Sequence, residues 1–274
     1  MAREQTPGLP LGTQTLLRGM AIIEAVAGGA HTLSPIGERI GCTRSTTHRL
    51  VTALVQAGYL RHSATSGTGV RTYLLGPKLV EMGFLAREML PVVQAARRHL
   101  DALAALTQDT VHLGIAEGTE VLYLDKLSGQ RGLEMRSRIG KRMPMASTGV
   151  GKALMLDLPE AQWRSLYDAA LAHAATPNAA LPAWEDYRQR MRRFAAMGAA
   201  LDMEENELGI RCVAAPVRDA GAEIVAAISV ASATPYMPEN RMDALVPDVI
   251  EAAAAISRDL GWTPRRDRAA SVPT

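Results

Sequence analysis

Hydrophobic residues recur at helical spacing near the start of the chain. One face is apolar at every third or fourth position: Leu16, Met20, Ile23 and Ala27. This spacing predicts a helix, and we expect it to end at Gly28-Gly29. In our interpretation the helix completes a small core and offers a surface for dimer formation.

Two further helices are predicted directly after it. The first opens at Ser34-Pro35, because serine is a strong N-cap residue and proline suits the first helical position. Gly41 supplies the bend that follows. The second helix extends from about Thr43 to Ala57, and Gly58 stands where a left-handed residue ends many helices.

A short hairpin is predicted after the second helix. Strands are expected at Tyr59-Leu60 and from Val70 to Leu74, and the small polar residues 63–69 form the tip between them. Two helices around a tight turn, followed by a hairpin, are typical of a winged helix-turn-helix, which lays its second helix in the DNA major groove. We assign residues 15–76 to this domain and residues 1–14 to a flexible N-terminus.

The charge of this segment supports DNA binding. Residues 1–76 contain seven Arg and three Glu, a net charge of +4, whereas residues 77–274 contain 23 basic and 25 acidic residues, a net charge of −2. A basic module is expected of a protein that binds nucleic acid. The plainer alternative is a small helical pair with a solvated polar face, and the charge favours the DNA-binding interpretation.

Side chains that can donate to bases and phosphates cluster at the start of the second helix. The candidate DNA-binding residues are Arg44, Ser45, Thr46, His48 and Arg49, with Arg71 beside the predicted wing. Because one winged module covers about one half-site, we expect at least a dimer on double-stranded DNA with an inverted repeat.

A helical segment follows Gly76-Pro77, and Pro91 divides it into two helices. We interpret the first, residues 77–90, as a linker helix that also makes a dimer contact; a plain core helix is the alternative. Its apolar stripe consists of Leu79, Met82, Leu85 and Met89.

Beyond the linker, mixed strands and helices predict an α+β domain over residues 91–262. Strands are expected at 110–116, 121–127, 133–135, 211–218 and 223–232, a basic loop at 136–143, and helices at 149–156, 160–171, 184–198 and 238–260. This order favours an antiparallel sheet with packed helices. Residues 263–274 are expected to form a disordered tail.

Several functional classes are poorly supported. No apolar run approaches the roughly 20 residues that span a bilayer, and no signal-peptide core is present. Residues 149–152 (GVGK) lack the earlier glycine and the Ser or Thr of a phosphate-binding loop. No nucleophile elbow and no metal-ligand spacing occur. We therefore expect a cytoplasmic protein without enzyme activity, cofactor or metal.

Four segments, in order, resemble the IclR family of bacterial transcription regulators. They are Ser45-Thr46-Thr47-His48-Arg49-Leu50, Tyr73-Leu74-Leu75-Gly76-Pro77, Pro144 to Ala153 (PMASTGVGKA), and Gly209 to Val217 (GIRCVAAPV) with the later Ala227-Ile228-Ser229-Val230. The resemblance covers roughly Leu16 to Leu260. It implies a GAF-like effector-binding domain, homodimers that often pair into tetramers, and control of catabolic operons by a small organic acid. RNA polymerase is a further candidate partner.

The resemblance also implies effector contacts at Gly149, Val150, Asp202, Cys212 and Ser229. Gly149 and Val150 fall where a loop enters a helix, and unpaired amides there favour a carboxylate. Asp202 is unexpected beside an anion, so we expect it to accept from a ligand hydroxyl or a protonated group. Ala231 replaces a hydroxyl of some relatives, which favours a larger or more apolar ligand.

Plainer alternatives remain at this point. Gly149 could be only a turn, Cys212 a small buried strand residue, and Ser229 a locally bonded hydroxyl. Arg136 and Arg138 could add charge to the site, although a solvated loop is the favoured interpretation. For the whole chain, the alternatives are a metabolite sensor without DNA binding and a hydrolase that uses Cys212, for which the sequence shows no base.

Overall fold

A computed structural model describes residues 13–63, 71–89, 91–131, 135–172 and 181–263. The structure divides into two compact units, Met1–Met89 and Leu90–Thr274, and each has its own hydrophobic core. The predicted N-terminal segment up to residue 12, the wing tip and the tail beyond residue 263 lie outside the described residues.

The first unit is a helical module with a short hairpin. Its elements are the helices α1 (Gln14–Ala27), α2 (Leu33–Ile40), α3 (Arg44–Gln56) and α4 (Pro77–Glu88), and the antiparallel strands β1 (Leu60–His62) and β2 (Tyr73–Leu75). Gly41 adopts a φ of +61° after α2, and Gly58 adopts a φ of +79° after α3. The left-handed residue predicted at Gly58 and the bend predicted at Gly41 are therefore confirmed.

Two details of the first unit differ from the prediction. Helix α2 begins at Leu33 and not after Ser34, because the amide of Ile36 already donates to the carbonyl of Thr32 over 3.2 Å. In α1 the buried residues are Ile22, Ala25 and Val26, whereas Leu16 is 62% exposed. The predicted stripe therefore does not complete the core, because α1 packs through the opposite side of its second half.

The second unit is built on a six-stranded antiparallel sheet of order β5-β4-β3-β8-β7-β6. The strands are β3 (Thr110–Glu117), β4 (Glu120–Leu127), β5 (Arg142–Pro144), β6 (Ala200–Met203), β7 (Ile210–Arg218) and β8 (Ile224–Ala233). The helices are α5 (Pro91–Thr107), α6 (Gly149–Leu154), α7 (Glu160–Ala172), α8 (Trp184–Met197) and α9 (Glu239–Asp259). An α+β domain with an antiparallel sheet was predicted and is confirmed.

The two faces of the sheet carry different residues, because neighbouring side chains in a strand point to opposite sides. Val111 and Leu113 of β3 join the core that also includes residues of α5 and α9. The residues between and beside them, such as His112, belong to the opposite face, where α6 contacts β3, β7 and β8. This second face carries the candidate site.

Two short strands of the sheet were missed. Residues 142–144 form β5, which pairs with β4, although they were predicted to belong to a basic loop. Residues 200–203 form β6, which pairs with β7 and places Asp202 opposite Cys212. The strand predicted at 133–135 falls mainly outside the described residues.

Candidate functional site

The start of α3 presents polar side chains to solvent. Thr43 caps the helix, since its Oγ1 accepts from the amide of Thr46 over 3.4 Å. Thr47 and Val51 are fully buried, and this fixes which side of the helix faces outward. Four of the predicted DNA-binding residues on α3 are exposed, namely Arg44, Ser45, His48 and Arg49, and Thr46 is half-buried.

The position of α3 is set by close contact with α2. A Cβ added at Gly37 of α2 would stand 3.1 Å from Oγ1 of Thr47 and 3.2 Å from the carbonyl oxygen of Cys42. Arg39 faces the other way and donates to the carbonyls of Ala25 and Gly28 at the end of α1. Arg39 is thus a structural arginine, unlike Arg44 and Arg49. Arg71, the predicted wing contact, is exposed just before β2.

A cavity in the second unit brings all five predicted effector residues together. It holds about 430 Å³ of empty space, counting the part that opens to solvent, and Gly149, Val150, Asp202, Cys212 and Ser229 all line it. Ala231, the predicted departure from relatives, also lines the cavity.

The strand register explains why these residues meet. Asp202 of β6 lies opposite Cys212 of β7, and Cys212 lies opposite Ala231 of β8. Ser229 of β8 lies opposite His112 of β3. Because residues two apart share a face, one wall of the cavity is built from four adjacent strands.

The first turn of α6 covers this wall. Thr148 caps the helix, since its Oγ1 accepts from the amide of Gly151 over 3.0 Å. The amide of Gly149 is directed at the sulfur of Cys212. A Cβ at position 149 would stand only 2.3 Å from that sulfur, so glycine is required for this close approach. The amide of Val150 has no protein partner among the described residues.

Burial disfavours the charged forms of the titratable groups in the wall. Burial, aided by the charge of Lys126, lowers the pKa of His112 to about 3. Burial raises the pKa of the Tyr123 phenol and of the Cys212 thiol well above their usual ranges. Burial also raises the pKa of Asp202 well above 3.8, despite the opposing charge of Lys152.

A buried ion-pair network stands behind Asp202. Nζ of Lys152 lies 3.0 Å from Oε2 of Glu205, and Arg190 lies 3.2 Å from the other carboxylate oxygen. Although burial acts to raise the pKa of Glu205, the charge of Lys152 and hydrogen bonds from its neighbours lower it below its usual range. The amide of Glu205 donates to Asp202 over 2.9 Å. With Asp202 neutral, the network carries a net charge of +1.

This chemistry suits binding and not nucleophilic catalysis. A cysteine acts as a nucleophile through its thiolate, whereas the Cys212 thiol is held protonated by burial. His112 contacts two serines and has no carboxylate partner in the described part of the chain. Asp202 had been expected to accept from a ligand hydroxyl or a protonated group; in the structure it accepts from the amide of Glu205, and burial raises the pKa of its carboxyl well above 3.8.

Sequence reasoning missed six polar residues that line the cavity: His112, Tyr123, Ser137, Thr148, Asn206 and Glu207. A single polar residue inside an apolar strand, such as His112 between Val111 and Leu113, is a signal that could have identified this face. The pairing of Lys152 with Glu205 joins residues 53 positions apart and leaves no local pattern.

No helix among the described residues is both long and apolar enough to cross a membrane. Within residues 13–63, 71–89, 91–131, 135–172 and 181–263, no group of three or more His, Cys, Asp or Glu is placed to hold a metal ion.

Comparisons with known proteins agree on both units. Residues 15–64 match the family described as the IclR helix-turn-helix domain, and residues 85–258 match that described as bacterial transcriptional regulator IclR C-terminal. The HTH-type transcriptional regulator XynR of Escherichia coli (strain K12) is 34% identical over 230 residues, which cover 84% of this chain and 89% of that protein. The DNA-binding transcriptional repressor YiaJ of the same strain is 31% identical over 265 residues, which cover 94% and 92%.

A solved structure shows the same fold. The crystal structure of the Thermotoga maritima IclR aligns with a TM-score of 0.73 at 26% identity, and the alignment covers 91% of this chain and 100% of that chain.

Proposed function

Because this chain belongs to the IclR family of bacterial transcriptional regulators, we propose that it controls a catabolic operon in response to a small organic acid. It is a DNA-binding transcription regulator with a C-terminal effector-binding domain, and not an enzyme. The proposal concerns the finer points: the chemical class of the effector, the residues that bind it, the DNA contacts and the assembly. We place the protein in the cytoplasm, where its DNA target is found.

The cavity lined by Gly149, Val150, Asp202, Cys212 and Ser229 is the observation that carries the effector proposal. Two features of it favour an anion. Gly149 and Val150 both line the cavity. The amide of Val150 has no protein partner among the described residues, and the amide of Gly149 donates to the weakly accepting thiol sulfur of Cys212, which a carboxylate would replace as acceptor. The network of Lys152, Arg190, Glu205 and Asp202 adds one net positive charge behind the wall as long as Asp202 is protonated, and the raised pKa of Asp202 favours that form.

A carboxylate is the anion that we assign to this site. Helix α6 has only six residues, so its dipole alone would contribute little, and the close backbone approach matters more. Among the described residues that line the cavity there is no exposed lysine or arginine of the kind that surrounds a highly charged phosphate. The nearby Arg136 forms an ion pair with Glu207, with 3.5 Å between Nε and Oε1. A singly charged, partly apolar acid matches the Met143, Val150 and Ile210 side chains that complete the lining.

For DNA, we propose that Arg44, Ser45, Thr46, His48 and Arg49 contact the major groove, and that Arg71 contacts phosphate or the minor groove. Their clustering on the exposed face of α3, and just before β2, supports this assignment. Each module would cover about one half-site of an inverted repeat. RNA polymerase remains a candidate partner if the protein acts as an activator.

We propose a homodimer, which can pair into a tetramer, assembled through α1 and α4. Both helices carry large apolar side chains that are exposed in the single chain: Leu16, Leu17, Met20, Val80, Met82, Phe84, Leu85 and Met89. Contiguous exposed apolar surface usually marks an interface. Sedimentation should give at least a dimer at micromolar concentration, and Phe84→Asp should shift it toward monomer whereas Leu106→Asp on α5 should not.

The effector proposal is tested by calorimetry on the full-length protein. The titrants are small aliphatic and aromatic carboxylates, each paired with its neutral carboxamide. We expect carboxylates to bind and their carboxamides to bind at least about tenfold more weakly, because charge-assisted hydrogen bonds are about twice as strong as neutral ones. Binding of a carboxamide or a cation in preference to every carboxylate would overturn the proposal.

A matched pair of variants locates the ligand. Gly149→Ala places a methyl group against Cys212 and should weaken binding by at least about tenfold through overpacking. In the double variant with Cys212→Ala, the next neighbours of the new methyl group, the Cβ atoms of Ala214 and Asp202, stand at 3.6 Å, so binding should recover. Undiminished binding by Gly149→Ala would place the ligand elsewhere.

A further inference from the structure

One phenol in the cavity has an unused hydroxyl group. Tyr123 is 6% exposed and lines the cavity, and its hydroxyl makes no hydrogen bond to any residue that the structure describes. Its ring packs against His112 at 5.2 Å between centroids. The hydroxyl oxygen is not among the enclosed polar atoms that lack a partner, so it opens to the cavity that Tyr123 lines and is available to a ligand atom.

The imidazole beside it arranges two more hydroxyl groups. Nδ1 of His112 lies 3.3 Å from Oγ of Ser229, and Nε2 lies 2.8 Å from Oγ of Ser137. Since neutral imidazole has one N–H donor and one acceptor, one serine donates to His112 and the other accepts from it. The serine that accepts keeps its own O–H free. Both serines line the cavity.

This cluster of Tyr123, His112, Ser137 and Ser229 therefore differs from the amides of Gly149 and Val150. The amides only donate, and this matches a carboxylate, which only accepts. The cluster presents both hydroxyl donors and oxygen lone pairs, and this matches a group that both donates and accepts. A hydroxyl group is the smallest such group.

We infer that the effector is a hydroxy acid, whose carboxylate meets the amides of Gly149 and Val150 and whose hydroxyl group meets Tyr123 and the serines held by His112. This inference rests on the proposed function, since it names the second recognition element of the same cavity. It makes Tyr123 and Ser137 specificity-determining residues, a role that no residue pattern in the sequence indicated.

The test compares carboxylates that differ by one hydroxyl group. The probes are 4-hydroxybenzoate with benzoate, and 3-hydroxybutyrate with butyrate, titrated into the full-length protein by calorimetry. For at least one pair we expect the hydroxy acid to bind at least about tenfold more tightly than its partner. An acid without the hydroxyl group leaves polar groups of the cavity unpaired. Tyr123→Phe should remove most of that preference, reducing hydroxy-acid affinity about tenfold and changing the affinity of the other acid by less than about twofold.

Tyr167→Phe is the matched control. Its hydroxyl donates to the carbonyl of Pro182 over 2.9 Å and does not line the cavity, so the preference should persist. Ser137→Ala should reduce the preference for the hydroxy acid by a smaller factor. It also provides a second test if Tyr123→Phe fails to fold.

The outcomes separate the two proposals. If both acids of each pair bind equally well, or if Tyr123→Phe weakens both acids equally, the hydroxy-acid inference is wrong and the carboxylate site stands. If no carboxylate binds in any pair, this inference and the proposed effector class are both wrong.

Discussion

The start of α3 and the cavity beneath α6 are two binding surfaces built in opposite ways. The first is exposed, and Arg44, His48 and Arg49 extend from it into solvent. The second is buried, and burial shifts the pKa values of His112, Tyr123, Cys212 and Asp202 toward their neutral forms. A surface that meets the phosphates of DNA gains from mobile charge, whereas a small selective cavity gains from fixed dipoles and shape.

The difference also separates binding from stability. Charged side chains on the surface of α3 are solvated, and their loss should leave the fold intact. The Lys152–Glu205 pair is almost fully buried, so its charges depend on each other. The variants Lys152→Met and Arg44→Ala test this contrast directly.

The largest expected effect is on the stability of the second unit. Lys152→Met removes one partner of a buried ion pair and should lower the free energy of unfolding by about 3 kcal/mol, because Glu205 loses its nearest cation. All three tryptophans of the chain, Trp163, Trp184 and Trp262, lie in this unit, so fluorescence during urea unfolding reports on it.

Arg190→Met is the control for that measurement. The Arg190 side chain is 35% exposed in its pair with Glu205. Its removal should therefore lower the free energy of unfolding by less, about 1 kcal/mol or below. Equal unfolding midpoints for the wild type and Lys152→Met would show that the buried pair contributes nothing to stability.

The next effect is on DNA affinity. Arg44→Ala should weaken operator binding by about 1–3 kcal/mol if the guanidinium contacts a guanine, with no change in tryptophan-monitored unfolding. Footprinting measures the first quantity. Arg193→Ala, on an exposed position of α8, is the charge-matched control. Unchanged operator affinity for Arg44→Ala would remove this residue from the DNA contact.

A smaller effect is expected from pH. The pKa of Asp202 is raised above 3.8, so its neutral form is present at lower pH and is lost as the pH rises through the raised value. Ionisation then cancels the +1 charge of the network and places a negative charge in the wall. Carboxylate affinity, and the stability that depends on a neutral Asp202, should therefore decrease as the pH rises through that range.

The variant Asp202→Asn tests the assignment of this titration. An asparagine can still accept from the amide of Glu205 and donate to its carboxylate, so it resembles the neutral acid. Its carboxylate affinity should be independent of pH. The neighbouring groups titrate elsewhere, because burial raises the pKa of Tyr123 and Cys212 and lowers that of His112 to about 3. The same pH dependence in Asp202→Asn would assign the titration to another group.

The sequence predicted the long elements of both regions well, because hydrophobic periodicity and the glycines that end elements are enough to recognise them. The hairpin of β7 and β8 followed from its apolar residues and the turn near Gly221, and α3 followed from its polar start and Gly58. Strands β5 and β6 have three and four residues, which is too short for an alternating pattern to be recognised. The start of α2 was displaced because the extended Thr32, and not Ser34, precedes the helix.

The two candidate sites could be predicted from the sequence to different degrees. Arg44 and Arg49 could be proposed from charge and helical position alone. Gly149 and Cys212 came from a family resemblance, since nothing local shows that they touch. Tyr123 and Ser137 were missed because residues on separate strands and loops meet only after the sheet has formed.

The central claim is that a carboxylate in the cavity controls the affinity of α3 for DNA. The most direct measurement is operator affinity of the full-length protein, with and without a carboxylate that calorimetry has shown to bind. A ligand acts only through its differential affinity for two states, so we expect a change of about 5–150-fold in the wild type and a smaller change in Gly149→Ala at the same ligand concentration. Identical operator affinity in the wild type with the site empty and saturated would contradict the claim.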